Sequence, residues 1–163
     1  MTGGIDISSD LIKSLIAKHP GRIVGAKLTC GNVGKLQRLA HPAPASPFAV
    51  FAGKSDFFLP ALIAGSNGVI AALANIAPKA HVRILELYAA GDMESAIKLQ
   101  TKLSHADWNL SKVGVAGVKA VIAEFYGYGT GKGRRPLGPF DISTLSAEAR
   151  DSISGVVEIE KGL

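Results

Sequence analysis

The sequence predicts an α/β fold with parallel strands, and three observations carry that reading. Short apolar runs suited to buried strands alternate with segments of helical spacing, and strand–helix–strand order gives parallel strands joined by crossovers. The 163 residues include nineteen glycines and eight prolines, above the roughly 12% of ordinary usage. They are scattered between the apolar runs, as many short connections require. Aromatic residues are 6% of the chain and hydrophobic residues 47%, so the core is built from Ala, Val, Ile and Leu. Length and composition suit one globular domain.

The elements follow in order. Ser9 or Ser8 caps a helix over 10–18, where Leu11 and Leu15, and Ile12 and Ile16, recur at helical spacing; Pro20-Gly21 stops it. Arg22 to Thr29 (RIVGAKLT) reads as a short buried strand. Asn32 to Ala40 reads as a helix, broken by the loop HPAPASP at 41–47. Phe48 to Ala52 (FAVFA) is a second buried strand ended by Gly53. Ser55 starts a helix through Ala64, closed by Gly65. Gly68 to Leu73 (GVIAAL) gives a third strand. The rest is helical. Pro78 suits a first helical position ahead of His81–Ala90, Asp92 caps a run from Glu94 to about Trp108, and Val115–Tyr126 makes a third helix. The basic, Gly/Pro-rich segment Gly127–Pro139 is a loop, and a last helix spans Ser143–Ser154 from a cap at Ser143 or Thr144.

Several function classes drop out. The single cysteine, Cys30, excludes a disulfide framework and a multi-cysteine zinc site within one chain. No run of about 18 apolar residues spans a membrane. The opening MTGGIDISSD has no basic segment and no apolar core, so it does not read as a signal peptide. The net charge of +5 is spread along the chain, with only Lys132, Arg134 and Arg135 clustered; it fits attraction of small anionic substrates better than nucleic acid. The run GTGKGRRP is not a phosphate loop of the GxxxxGK[ST] type. Gly133 follows Gly131-Lys132, Tyr126 stands where the first glycine belongs, and a helix rather than a strand precedes it. A solvated, anion-attracting loop fits better. His19, His41, His81 and His105 show no metal spacing and read as surface residues; Trp108, Tyr126 and Tyr128 read as core or interface groups.

Lys27 is the residue that asks for an explanation. It sits inside an apolar strand, and alternation puts Gly25, Lys27 and Thr29 on one face, with Val24, Ala26 and Leu28 on the other. A lysine there either snorkels to water or is a desolvated amine able to form a Schiff base with a carbonyl. Thr29 lies at the carboxyl end of the strand, where α/β folds place ligands, or else caps the next turn. Cys30 reads as a small buried hydrophobe rather than a nucleophile. Gly53 and Gly68 mark strand ends, as turn residues or as points of close backbone approach.

GRIVGAKLTCGN, FAVFAGKSDFFLPALIAGSNGVIAALANIAP and VGVAGVKAVIAEFYGYGTGKGRRPL resemble the second half of the dihydrodipicolinate synthase / N-acetylneuraminate lyase family. The 4-hydroxy-2-oxoglutarate aldolase and 2-keto-3-deoxy-sugar-acid aldolase branch is the most similar, and the resemblance runs from about Thr2 to Pro139. It implies a partial (β/α)8 TIM barrel, the last three strands with their helices, plus a C-terminal helical extension. A complete barrel needs about 250 residues. Residues 1–75 would be the barrel segment and 76–163 its final helix and the extension, as one structural unit. By the same resemblance Lys27 matches the Schiff-base lysine and Thr29 a hydroxyl facing the substrate. Gly53 and Ile70 match positions whose backbone borders the pyruvoyl group.

The activity implied is retro-aldol cleavage of a 2-oxo acid to pyruvate, with no cofactor and no metal. The implied partners are the 2-oxo acid or pyruvate, and a homo-oligomer or a full-length homologue; nucleic acid and membrane are not expected. The expected compartment is the cytoplasm, or the mitochondrion if a targeting segment precedes the chain. The family's upstream strands carry a hydroxyl pair for the substrate carboxylate and a proton-relaying tyrosine, which no segment of this sequence matches. Two readings therefore stand: an aldolase sequence whose activity belongs to a longer form, or a non-catalytic half-barrel acting through association with full-length relatives.

Overall fold

The structure is a computed structural model and describes residues 4–41 and 47–163. Helix α1 spans Ser9–Lys18, and the Ser8 hydroxyl accepts the Leu11 amide at 3.2 Å, which satisfies one of the free amides of the first turn. Strand β1 is Gly25–Leu28. Helix α2, Val33–Ala40, is capped by Asn32, whose side-chain oxygen accepts the Lys35 amide at 2.8 Å. Strand β2 is Ala49–Ala52. A 3-10 turn at Ser55–Phe57 leads into α3, Phe58–Ile63, and β3 is Gly68–Val69. After a second 3-10 turn at Leu73–Asn75, α4 spans Pro78–Ala89 with Pro78 in its first turn. Helix α5 is Met93–Tyr126, capped by Asp92, and α6 is Ala147–Gly162, capped by Ser146.

The three strands pair in chain order and all are parallel, as expected. Other expectations need correction. The first strand is four residues long, and Val24 at its start is 60% exposed instead of packed on helices. The apolar run GVIAAL pairs over only two residues before Leu73 turns into 3-10 geometry; hydrophobicity alone does not separate a strand from a buried turn. The helix expected from Ser55 opens as a 3-10 turn. The two helices expected on either side of residues 109–114 are both present: Met93–Tyr126 breaks at Gly114, where φ 60° and ψ −162° interrupt the spiral, and the second helix begins at Val115 as expected, while the first runs on past Trp108. The last helix starts at Ala147 behind the Ser146 cap, because Asp141 takes the earlier turn by accepting the Ser143 amide at 2.9 Å. Residues 42–46 of the expected HPAPASP loop lie outside the described residues.

One face of the sheet is the core face. Leu28, Val50 and Ala52 are buried there with Leu36 and Leu39 of α2 and Phe58, Ala61 and Leu62 of α3. The same apolar cluster continues through Ile84 of α4, Leu103 and Leu110 of α5, and Ile153, Val156 and Val157 of α6. Three polar groups tie the helical part to the βα part. The Gln100 side chain accepts the Leu59 amide and donates to the Ser55 carbonyl, both at 2.8 Å. Glu160 accepts the amides of Lys79 and Ala80 at the start of α4, at 3.1 and 2.9 Å. The Tyr126 hydroxyl donates to the Ile76 carbonyl. Each satisfies buried or half-buried backbone groups that would otherwise cost about 1–3 kcal/mol apiece.

Candidate active site

The strand register lays out the site. Lys27 lies opposite Phe51, and Phe51 opposite Gly68, so these three form one row across the sheet. Alternation adds Gly25 and Ala49 on the amino side of the row, on the face away from the core. Thr29, Gly53 and Ile70 each stand just beyond the carboxyl end of their strand, Thr29 in the turn after β1. Lys27 is exposed on this face, Phe51 is half-buried beside it and Ile70 is 48% exposed. Phe51 escapes a reading that looks only for chemistry-bearing groups. The alternation within FAVFA is the signal that places it with Ala49 and Gly53.

A cleft of about 520 Å³ wraps the free edge of β1. Lys27, Thr29 and Cys30 line it together with Ile12 and Leu15 of α1 and the segment 4–7. Lys27 and Thr29 are thus brought to one cavity, while Gly53 and Ile70 lie outside it. Gly53 is instead buried against β1. A Cβ there would fall 2.5 Å from the Cα and N of Thr29, so the absent side chain serves the strand–strand approach. Cys30 is exposed, not the buried hydrophobe expected, because it stands in the turn beyond β1.

The cleft wall contains a second lysine. Lys35 is buried, pairs with Asp6 and donates to the Ile7 carbonyl at 2.9 Å, so it pins the segment before α1. Its hydrogen bond to the Asp6 carboxylate holds the Lys35 amine above the usual lysine range. That fixed charge makes Lys35 an anchor, and Lys27 is the exposed amine of the cleft.

His81, read from sequence as a surface residue, is buried. Its Nδ1 donates to the Ala77 carbonyl at 2.7 Å, so its Nε2 accepts the Ser55 hydroxyl at 2.8 Å. Burial holds its imidazole below the ordinary value, and burial with the nearby Asp56 charge pushes the Asp107 carboxyl up. The missed signal was spacing, since His81 lies on the stripe Ala80, Ile84, Leu87 of α4. Trp108 is 57% exposed, so it is no core residue of the described chain.

A parallel α/β sheet that presents an accessible amine and a hydroxyl near the carboxyl end of one strand suits an enzyme that works on carbonyl compounds through an amine nucleophile. Comparison with known proteins gives the class a family. Residues 1–156 match the dihydrodipicolinate synthetase family, and the chain belongs to it. It is 43% identical to the L-threo-3-deoxy-hexylosonate aldolase of Hypocrea jecorina, over 98% of this chain and 52% of that protein. It is 44% identical to the "Probable 4-hydroxy-2-oxoglutarate aldolase, mitochondrial" of Emericella nidulans, over 99% of this chain and 51% of that protein. Among solved structures, a dihydrodipicolinate synthase family protein from Coccidioides immitis superposes with a TM-score of 0.81 at 38% identity, covering 99% of this chain and 54% of that one. The chain spans about half the length of the curated relatives it matches.

Proposed function

We propose that this chain carries the lysine-bearing part of a class I aldolase that releases pyruvate from a 2-oxo acid, either 4-hydroxy-2-oxoglutarate or a 2-keto-3-deoxy sugar acid. The observation that carries the reading is Lys27 itself, an exposed amine on the open sheet face, in one cleft with Thr29. The names of the aldolases from Hypocrea jecorina and Emericella nidulans supply the substrate class. On this reading the strands are the last three of a (β/α)8 barrel. Residues 1–75 form the barrel segment and 76–163 its final helix and a helical extension packed as one unit. The relatives named mitochondrial point to that compartment in preference to the cytoplasm.

The chemistry follows from the amine. The neutral Nζ of Lys27 adds to the C2 carbonyl, and loss of water gives an iminium ion. When a base takes the proton of the C4 hydroxyl, the C3–C4 bonding pair moves into the iminium. An aldehyde departs, glyoxylate in the case of 4-hydroxy-2-oxoglutarate, and an enamine stays on Lys27. Protonation at C3 and hydrolysis then free pyruvate and return the amine. Thr29 offers its hydroxyl to the bound substrate, and the backbone at Gly53 and Ile70 borders the pyruvoyl group. The family's proton-relaying tyrosine, the candidate for that base, has no match in this sequence.

A second reading, a non-catalytic half-barrel that acts by associating with a full-length relative, is favoured by the open edge of β1. Ile5, Ile7 and Val24 there are 82%, 51% and 60% exposed. Borohydride reduction in the presence of pyruvate separates the two. The aldolase reading expects one reduced pyruvoyl adduct, mapped to Lys27 and lost in Lys27→Met. No adduct on the chain alone, together with mixed oligomers by light scattering when a full-length relative is added, selects the second reading.

A further inference from the structure

We propose that the loop following α5, with the helix face it folds against, is a binding site for a single phosphate-type oxyanion. The segment Gly127–Pro139 contains Lys132, Arg134 and Arg135 and no acidic residue. It folds back along its own helix. A Cβ at Gly131 would lie 3.3 Å from the Cβ of Ala123 and 3.8 Å from the Cα of Ala120, and Gly131 takes φ 68°, which side chains resist. That reversal brings Lys132 to Lys119. Both line a cleft of about 120 Å³ with Ile122, Tyr128, Thr130 and Gly131.

Two lysine side chains, Lys119 and Lys132, line this small space, and no carboxylate does. Among the described residues Lys119, Lys132, Arg134 and Arg135 make no ion pair. Cations set on one cleft without a counter-charge favour an anionic occupant, and a divalent oxyanion could meet both. The remaining wall is suited to the same ligand. The Thr130 oxygen accepts the Lys132 amide at 3.3 Å, which leaves its own proton free to donate. Gly127, Gly129 and Gly131 alternate in left-handed geometry, the backbone pattern from which amide nests for anions are built. The volume fits one tetrahedral oxyanion rather than a nucleotide, in keeping with the absence of a phosphate-loop motif. A competing account gives the cations to the carboxyl end of α5, whose dipole attracts positive charge. It leaves Lys119 unexplained, since that residue lies two turns before the helix end at Tyr126.

Calorimetric titration of the 163-residue chain with inorganic phosphate, at ionic strength held constant with chloride, tests the site. The expected result is saturable binding of one phosphate, weakened about tenfold in Lys132→Gln and in Lys119→Gln, the loss of one charge-assisted hydrogen bond. Lys102→Gln, an exposed lysine elsewhere on α5, should bind like the parent chain, and circular dichroism should show all variants folded. Glycerol phosphate and vesicles containing phosphatidic acid distinguish the source. Binding of the soluble ester shows that a phosphomonoester is accepted, and vesicle binding without either soluble ligand overturns the proposal. So does the absence of saturable phosphate binding, or an equal loss in Lys102→Gln.

Discussion

Replacing Gly53 by alanine tests the contact on which the site face rests. The added Cβ would lie 2.5 Å from the Cα and N of Thr29 and 2.6 Å from the carbonyl carbon of Leu28. All three are backbone atoms, so no side chain can swing aside. Ordinary contact requires the ends of β1 and β2 to part by about 1 Å, which also stretches the hydrogen bond from the Gly53 amide to the Leu28 carbonyl, now 3.0 Å. Overpacking of this kind costs about 1–3 kcal/mol and a lost backbone bond about 1 kcal/mol more, so Gly53→Ala should destabilise the chain by about 2–4 kcal/mol. Urea unfolding followed by circular dichroism reads the difference at constant m value. Gly34→Ala is the control. Its Cβ meets nothing closer than 3.5 Å inside α2, and the change should stabilise by up to about 1 kcal/mol. If Gly53→Ala unfolds within about 0.5 kcal/mol of the parent chain, the strand contact does not set the geometry of Thr29 and the reasoning fails.

Two further outcomes are expected. Gln100→Ala leaves the Leu59 amide and the Ser55 carbonyl without partners and should cost about 2–5 kcal/mol in the same urea assay; a loss below about 1 kcal/mol would mean that water replaces both bonds. His81, held below its ordinary value of 6.5 by burial, takes up its proton later in the folded chain than in the unfolded one. Stability should therefore fall as pH drops below about 6.5, by at most ~1.4 kcal/mol per pH unit, and this component should vanish in His81→Gln. Asp107, shifted upward by burial, acts with the opposite sign, so Asp107→Asn should leave the fall at least as steep. An unchanged slope in His81→Gln refutes the assignment.

The starts of α1, α4 and α5 were legible in the sequence because capping is local chemistry, whereas those after Ser55 and before α6 were displaced by 3-10 turns. Ser8, Asp92 and Pro78 stand where one side chain or one ring fixes the first turn. The parallel order of the strands was also readable, from alternation of elements alone. The length of β3 was not, since its two paired residues are decided by what Phe51 and Ala52 offer across the sheet. At the site, the strand position of Lys27 was plain from the apolar run around it, and Thr29 lines the same cleft from the turn just beyond the strand. What lay beyond reach were groups whose meaning depends on distant partners. Ser55 and His81 are 26 residues apart, and Lys35 reaches Asp6 across 29. A polar residue on an apolar helical stripe, such as Gln100 between Ala96 and Leu103, is the trace such partnerships leave.

The sheet and the ties that brace it mature on different schedules. Strands β1, β2 and β3 are neighbours in both chain and sheet, so a chain emerging amino end first can add each strand to one already made. The bonds from Gln100 reach back 41 and 45 residues, and those from Glu160 reach back 80 and 81. During synthesis the turn after β2 and the first amides of α4 therefore wait unpaired for helices not yet translated. The interval in which a nascent chain is open to proteases and chaperones at these two points is set by the translation of α5 and α6, and synonymous changes that slow those codons would lengthen it without altering a single residue.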